Sequence, residues 1–436
     1  MRQMKDSGIE WIGQIPNGWD TTKLLYLLKK PISDGPHETP EVFNEGIPFI
    51  SVDSLNDTED IDFSVVRKYI SEEQYLEYQK KANLEKGDVL FSKAATIGKT
   101  AIVKDEKFMV WSPLAIIKTE KKKLLNKYLY YLLNCNSLIN DIILHGSYNT
   151  QINVGMREIE STKVPVLPLS EQACIVEFLD KKCAEIDDII AAKEKTNELL
   201  KERRQSIIYE AATKGLDPNV PMKDSGIEWI GQIPASWSVW RMKHLGAESM
   251  QYGANATGVD FDEQLPRYIR ITDISESREL HSEGKQSLPI EIAKDYMLED
   301  GDLLFARSGA TAGKSFLYET KYGNCCFAGY LIKFKTDVEK AYSKFLYYYT
   351  LTQAYEKWTQ QIFIQATIQN ISAEKYNNLC FAIPDSLDTQ KNIIEYLDEK
   401  CTAIDALIST NNSTIEKLKE YRQSIIYEAV TGKIEV

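Results

Sequence analysis

Two glycine-containing segments carry residue types that bind nucleotide phosphates, so they are the first candidates for chemistry. They read GATAGKS at residues 309–315 and ATIGKT at residues 95–100. A phosphate-binding P-loop needs four residues between its first glycine and the Gly-Lys pair, so that successive backbone amides surround the phosphates. Only three residues separate Gly309 from Gly313, and Ser308 stands where the first glycine should be. We therefore interpret both segments as tight turns.

Other catalytic and metal-binding patterns are missing from the sequence. There is no Asn-Pro-Pro-Tyr-like tetrapeptide and no glycine-rich cofactor loop after a strand, as a methyltransferase would need. The four histidines lie far apart, and the seven scattered cysteines suggest neither a zinc site nor a disulfide framework. The sequence thus predicts no catalytic residue, cofactor or metal on this chain.

Composition and charge narrow the class of protein. The 436 residues, 43% of them hydrophobic, predict a folded chain of two or three domains. A net charge of −12 argues against a free-standing nucleic-acid binder. It favours a subunit whose partners supply the positive charges that nucleic-acid binding needs. The apolar stretches are too short to span a membrane, and the N-terminus lacks the apolar core of a signal peptide. We expect a cytoplasmic protein.

A long internal repeat organises the sequence. MKDSGIEWIGQIP begins at Met4 and recurs, residue for residue, from Met222, a shift of 222 − 4 = 218 residues. RQSIIYEA at residues 204–211 recurs at residues 422–429 with the same shift. The chain is therefore two tandem copies of one unit, each with a variable front and a well-matched back.

The two fronts share landmarks despite their divergence. FISV at residues 49–52 resembles YIRI at residues 268–271, an alternation that predicts a half-buried strand. Residues 84–100 resemble residues 298–315, and both predict a turn, a strand, a glycine-containing turn and a return strand. We expect mixed α/β domains that differ where a recognition surface would have to differ.

The two backs predict long helices. Ser170 and Asp388 are expected N-caps, and Gly215 and Gly432 lie where each helix should end. Between them apolar residues recur at alternating steps of three and four, which is the spacing of a coiled-coil seam. The predicted seam contains Leu179, Ile186, Ile190, Leu200, Ile207, Leu397, Ile404, Ile408, Leu418 and Ile425.

Connectivity predicts that the two helices pair antiparallel. A single helix that exposes an apolar stripe is not stable in water, so the apolar seams of the two helices should pack on each other. The linker at residues 216–221 (LDPNVP) is too short to return the chain for a parallel pair. The predicted fold is α+β, with two mixed α/β domains separated by long helices that form an intramolecular antiparallel coiled coil. Its segments are 1–168, 169–215, 216–221, 222–386 and 387–436, and residues 1–168 and 222–386 are called front domains 1 and 2 below.

This arrangement resembles the specificity subunits of type I restriction-modification enzymes over essentially the whole chain. SGIEWIGQIP opens each half and is followed by Trp19 or Trp237, and GDxLF recurs at residues 87–91 and 301–305. PLSEQ at residues 168–172 leads into the first helix. The second copy departs there, with Thr389 in place of Glu171.

The resemblance implies a non-catalytic DNA-binding subunit. Each front domain would be a target recognition domain for one part of an interrupted, asymmetric duplex sequence. The helices would set the gap and dock two methyltransferase subunits, and motor-nuclease subunits would join for cleavage. S-adenosylmethionine, ATP and Mg would then belong to the partners.

Sequence reading requires side chains that hydrogen-bond to base edges, with cations holding the phosphates. The loops at residues 145–153 and 364–370, the two glycine-containing turns and one strand supply these types. The candidates for DNA contact are Lys93, Lys99, Tyr148, Asn149, Gln151, Arg267, Arg270, Arg307, Ser308, Lys314, Gln365, Thr367 and Gln369. Solvated loop and strand residues are the alternative interpretation of each.

The helices supply candidates for partner docking. Gln205, Tyr209, Gln423 and Tyr427 lie off the seam in the repeated octapeptide, where a solvated helix face is the alternative. Two rival functions also stay open. One is a protein-protein adaptor that does not bind DNA, and the other is a methyltransferase or NTPase with unrecognised motifs.

Overall fold

The chain forms two compact units. The computed structural model describes residues 2–56, 58–145, 147–148, 152–364 and 369–436, with the backbone alone at residues 147, 148, 152 and 310. Unit 1 comprises Met1–Glu194 and Asn412–Val436, and unit 2 comprises Lys195–Asn411. Each unit therefore contains one front domain and a share of both long helices.

The described residues of front domain 1 form short strands and four short α-helices, and the domain leads into the first long helix. The strands are β1 (Met4–Asp6), β2 (Gln14–Pro16), β3 (Asp20–Lys23), β4 (Ser33–Asp34), β5 (Ile47–Ile50), β6 (Tyr69–Ile70), β7 (Val89–Ser92), β8 (Thr100–Ile102), β9 (Met109–Val110), β10 (Leu114–Ile117), β11 (Ser147–Tyr148), β12 (Ile152–Asn153) and β13 (Lys163–Val166). The helices are α1 (Glu72–Ala82), α2 (Asn126–Leu133), α3 (Asn136–Leu144), α4 (Met156–Ser161) and the long α5 (Leu169–Lys214).

Front domain 2 is built from the same kinds of elements. Its strands are β14 (Met222–Asp224), β15 (Gln232–Pro234), β16 (Trp237–Arg241), β17 (Gln251–Tyr252), β18 (Val259–Asp260), β19 (Arg267–Ile269), β20 (Gln286–Ser287), β21 (Leu303–Ala306), β22 (Ser315–Leu317), β23 (Cys325–Phe327), β24 (Leu331–Phe334) and β25 (Cys380–Pro384). The helices are α6 (Ile290–Ala293), α7 (Ser343–Tyr349), α8 (Gln353–Ile364), α9 (Ala373–Asn377) and the long α10 (Leu387–Val430).

The two front domains share a sheet topology. A four-stranded antiparallel sheet has the order β4-β10-β7-β8 in unit 1 and β17-β24-β21-β22 in unit 2. Beside it, β5 pairs parallel with β9, as β19 does with β23. The first strand after the opening hairpin pairs with the last strand before the long helix, as β3 with β13 and β16 with β25. The repeat in sequence is therefore a repeat in fold.

The shared Gly-Asp pair explains the turn before the central strand of each sheet. Gly87 and Gly301 have φ values of +90° and +87°, which side chains with a Cβ rarely adopt. The carboxylate of Asp88 accepts the backbone N–H of Glu85 at 2.7 Å, and that of Asp302 accepts the N–H of Glu299 at 2.9 Å. Burial raises the pKa of Asp88 and Asp302.

The predicted half-buried strand at residues 49–52 is wrong in detail. Phe49 and Ile50 are both buried, and β5 ends at Ile50. The same holds for Tyr268 and Ile269, where β19 ends. Successive strand residues point to opposite faces of a sheet, so burial of both neighbours shows that both faces are covered and no alternation remains. Tyr268 and Ile269 accordingly pack into two different hydrophobic clusters.

The long helices pair antiparallel, as predicted. In unit 1, Arg422 Nε lies 3.1 Å from Asp187 Oδ1. In unit 2, Arg204 Nε lies 3.2 Å from Asp405 Oδ1, and Asn411 Nδ2 donates to Asn197 Oδ1 at 2.9 Å. As the residue number rises along α5 from 187 to 197 and 204, the number of its contact on α10 falls from 422 to 411 and 405, which defines an antiparallel pair.

All ten predicted seam residues lie in or against the hydrophobic cores. Unit 1 holds Leu179, Ile186, Ile190, Leu418 and Ile425, and unit 2 holds Leu200, Ile207, Leu397, Ile404 and Ile408. Ile208 and Ile426, next to the seam, are fully buried as well. The octapeptide therefore buries two faces, one in the helix pair and one against the front domain.

The helix starts differ from the prediction, whereas the ends agree with it. The helices begin at Leu169 and Leu387, so Ser170 and Asp388 lie in the first turn and are not N-caps. Gly215 and Gly432 follow the helix ends with φ values of +81° and +72°. Among the described helices, none is long and apolar enough to cross a membrane.

A buried glutamine fixes each helix start to its front domain. Gln172 Oε1 accepts the Leu125 N–H at 2.9 Å, and Nε2 donates to the carbonyls of Lys123 at 2.8 Å and Leu167 at 3.0 Å. The equivalent Gln390 makes the same three contacts, with the Tyr342 N–H and the carbonyls of Lys340 and Pro384.

We expect Gln172→Leu to lower the free energy of unfolding by about 2 to 4 kcal/mol. The change leaves one N–H and two carbonyls without a side-chain partner, and a buried unsatisfied group costs about 1 to 3 kcal/mol. Denaturant unfolding followed by tryptophan fluorescence measures the loss. Glu177→Leu, at an exposed position of the same helix, is the control. An equal effect of both variants would show that the amide contacts do not hold the helix start.

Candidate nucleic-acid interface

One edge of the four-stranded sheet collects several of the predicted residues in each unit. β4 and β7 run in the same direction on either side of β10, so their C-terminal ends meet at one edge. Lys93 follows β7, and its carbonyl accepts the Val154 N–H at 2.9 Å. In unit 2 the carbonyl of Arg307 accepts the Ile371 N–H at 2.8 Å. The structure thus joins each predicted turn to the end of the predicted polar loop.

In unit 1 this edge carries a closed ion pair. Lys93 is buried, and its Nζ lies 3.0 Å from Asp34 Oδ2. His37 Nε2 lies 3.3 Å from the same oxygen, and His37 Nδ1 is 3.0 Å from Ser112 Oγ. The position of Lys93 therefore gives no support to the predicted phosphate contact, because its ammonium group is buried and paired with the Asp34 carboxylate.

In unit 2 the equivalent edge is open and aromatic. Tyr252 replaces Asp34 at the end of β17, and the Arg307 guanidinium carbon lies 4.9 Å from the Tyr252 ring centre. Tyr330, whose carbonyl accepts the Arg307 N–H at 3.0 Å, is 61% exposed. A cation above an aromatic ring is held by the ring's electron-rich face.

Three other predicted cations are anchored to their own domain. Arg267 Nη2 donates to the His281 carbonyl at 2.6 Å. Arg270 forms a bidentate pair with Asp273 at 2.9 and 2.7 Å. Lys314 Nζ donates to the Ser275 carbonyl at 3.1 Å. These contacts fix the loop before β20 and hold each cation within its own domain, although Arg267 Nε is, in the part of the chain that the structure describes, buried without an acceptor.

The remaining DNA candidates divide into two groups. Lys99 and Ser308 are half-buried at the turns, and Gln369 is exposed beside Asn370. Asn149, Gln151, Gln365 and Thr367 lie outside the described residues, as does the side chain of Tyr148.

The predicted docking residues contact their own chain. Gln205 Nε2 donates to the Leu351 carbonyl at 2.7 Å, and Gln423 Oε1 accepts the Asn136 N–H at 3.3 Å. Tyr427 donates to the Ile12 carbonyl at 3.3 Å. Tyr209 is half-buried, with Lys214 Nζ 5.4 Å from its ring centre. Three of the four thus fix a helix to a front domain.

Sequence reasoning missed a repeated contact that locks helix and front domain together. Asp180 accepts the Tyr131 hydroxyl at 2.6 Å and lies 2.9 Å from Lys127 Nζ. Asp398 does the same with Tyr348 and Lys344, at the same distances. Burial, and then the carboxylate hydrogen bond, raises the pKa of both tyrosines, so they stay protonated and donate. The signal was present, since EFLD at residues 177–180 and EYLD at residues 395–398 recur at the helix starts.

The fold and the repeated site match one protein family. The family described as type I restriction modification DNA specificity domain matches residues 29–201 and again residues 267–420. The chain therefore belongs to this family of type I restriction-modification specificity subunits.

Individual relatives agree with this assignment. A Methanocaldococcus jannaschii protein named as the MjaX specificity subunit of a type I restriction enzyme is 25% identical, over 98% of this chain and 96% of its own length. The EcoBI specificity subunit of Escherichia coli is 22% identical, over 73% of this chain and 68% of its own length.

Solved structures show the same fold. One comes from a study of complex assembly and conformational transition in a type I restriction-modification system; it has a TM-score of 0.71 at 16% identity and covers 96% of this chain and 99% of its own. The HsdS subunit of Thermoanaerobacter tengcongensis has a TM-score of 0.50 at 15% identity, covering 96% and 98%.

Proposed function

We propose that this chain reads an interrupted, asymmetric sequence of duplex DNA, with one half-site bound by each front domain. The supporting observation is the sheet edge described above, which has the same backbone in both units but different side chains. Two domains that recognise different bases require the same backbone scaffold with different side chains facing the DNA. The acidic net charge fits a subunit that shares the phosphate contacts with partners.

The helix pair would set the gap between the half-sites and dock two methyltransferase subunits. Ile189 and Leu407 support the docking role, because they occupy equivalent positions of the two helices and are 47% and 54% exposed. Equivalent apolar side chains on both helices suit two copies of one partner. They are better docking candidates than Gln205 and Gln423, whose amides are used within the chain.

The chemistry of the complex would belong to the partners. Adenine methylation from S-adenosylmethionine is proposed for the methyltransferase subunits, and ATP-driven, Mg-dependent cleavage for the motor-nuclease subunits. This chain would supply the DNA sequence specificity and would act as a non-catalytic subunit in the cytoplasm.

The experiment is selection of bound duplexes from a random library by the chain purified with its methyltransferase subunits. We expect enriched duplexes with two fixed blocks separated by a fixed number of unspecified base pairs. Absence of any enriched sequence would contradict the proposal and favour the adaptor hypothesis. Methyl transfer or ATP turnover by the chain alone would favour the enzyme hypothesis.

A further inference from the structure

In each unit, the sheet edge that carries Lys93 or Arg307 also fixes the backbone of a facing residue on the neighbouring strand. That residue is Asp34 in unit 1 and Tyr252 in unit 2. Gly35 and Gly253 follow β4 and β17, and each passes directly over a neighbouring turn. A Cβ added at Gly35 would lie 2.0 Å from the Val110 carbonyl oxygen, and one at Gly253 would lie 2.3 Å from that of Ala328. The residues before the two glycines, Asp34 and Tyr252, are therefore held at matching places.

The chemistry at these matching places is different. In unit 1 the cation faces a carboxylate that neutralises it, and both side chains are about nine-tenths buried. In unit 2 the Arg307 guanidinium faces the Tyr252 ring, and Tyr252 is 40% exposed. An aromatic ring orients a guanidinium plane without using its N–H donors.

Three buried polar atoms, from Arg307, from its turn and from the residue bridged to that turn, lack hydrogen-bond partners among the described residues. Within the described residues, Arg307 Nε is buried and has no hydrogen-bond acceptor. Thr311 Oγ1, in the same turn, and Asn370 Oδ1, across the bridge from Ser308, are also buried without a partner. Unit 1 has such atoms at the matching place too, since Ser33 Oγ and, apart from its ion-pair contacts, Asp34 Oδ2 are also buried without a hydrogen-bond partner in the described part of the chain. The difference between the units is therefore the Arg307 guanidinium held above a partly exposed aromatic ring.

We infer that Arg307 reads a guanine in the half-site bound by front domain 2, and that front domain 1 reads no guanine at the matching place. A guanidinium presents parallel donors that match O6 and N7 of guanine in the major groove, which is the commonest specific contact in DNA recognition. A closed Asp34–Lys93 pair offers no such donors. The inference rests on the proposed function and identifies one base of the target.

A phosphate contact is the competing role for Arg307. Such a contact would position the protein and carry no sequence information. The two roles predict different results when single bases are changed, because only a base contact depends on which base is present.

The experiment measures binding of the chain, purified with its methyltransferase subunits, to the selected duplex and to duplexes altered at single guanines. Replacement of the guanine that Arg307 reads by 7-deazaguanine, which lacks the N7 acceptor, or by another base should weaken native binding roughly ten- to one-hundredfold. Arg307→Ala and Arg307→Met should bind the native and altered duplexes equally, while discrimination at the other base pairs of both half-sites stays intact. Because front domain 2 reads its own half-site, intact discrimination at its other base pairs shows that this domain is folded in the variants.

Two control variants complete the test. Arg203→Ala removes an exposed helix cation and should leave every base preference unchanged. The paired change Lys93→Met with Asp34→Asn removes the equivalent cation of unit 1 without leaving an unpaired buried carboxylate, and it should cost no guanine preference. If Arg307→Ala weakens binding to all duplexes equally, or keeps every guanine preference, the inference is overturned while the proposed function stands. If the native complex shows no sequence preference at all, the proposed function itself fails.

Discussion

Insertion of one heptad into each long helix is expected to widen the gap between the two half-sites by about three base pairs. Seven residues lengthen a helix by about 10 Å at 1.5 Å per residue, and one base pair spans roughly 3.4 Å of duplex. Insertion at the boundary between the units, near Glu194 and Asn411, keeps the seam spacing of both helices. The two half-sites should stay the same, because neither front domain is altered. Selection from a random duplex library measures the new gap.

A matched control places the heptad in one helix only. The inserted residues of the lengthened helix then have no partner on the other helix. We expect lower stability of the protein and weaker enrichment of duplexes, without a new fixed gap. An unchanged gap in the protein with both insertions would contradict the role of the helix pair as a spacer.

Gly35→Ala is expected to lower the free energy of unfolding by about 3 kcal/mol or more and to abolish recognition of one half-site. The new Cβ would lie 2.0 Å from the Val110 carbonyl oxygen and 2.8 Å from the Trp111 carbonyl carbon. Overpacking of a well-packed region costs about 1 to 3 kcal/mol, occasionally more, and backbone yields less than a side chain does. Chemical unfolding and duplex selection together measure the effect.

Gly253→Ala should have the same effect on the other half-site, since its Cβ would meet the Ala328 carbonyl oxygen. Gly18→Ala is the control, because a Cβ there meets no atom within 4 Å. Loss of both half-sites in each variant, or of neither, would show that the glycines do not act within separate front domains.

The sequence was most informative about the helices and the repeat. Apolar residues such as Leu179 and Leu397 recur with a spacing that only one secondary structure explains, and the six-residue linker favours an antiparallel pair. The second buried face of the helices, at Ile208 and Ile426, was visible only as a doubled isoleucine. One periodicity cannot show which of two adjacent apolar residues faces which neighbour.

The candidate site was less accessible from the sequence. Lys93 and Arg307 were chosen by residue type, but their environments depend on Asp34 and Tyr252, which are distant in the chain and meet them across β10 and β24. Arg270 and Lys314 have the same residue types and are fixed by internal acceptors. Residue type identifies cations, whereas tertiary contacts decide which of them stay available to a ligand.

Exchange of residues 1–165 for the corresponding domain of another specificity subunit tests whether each front domain reads its own half-site. Adenine methylation would be mapped across the genome of a host that expresses the chimera with its methyltransferase subunits. Independent reading by the two front domains predicts one new half-site, with the second half-site and the gap unchanged. A motif in which both halves change, or in which neither does, would contradict independent reading by the two front domains.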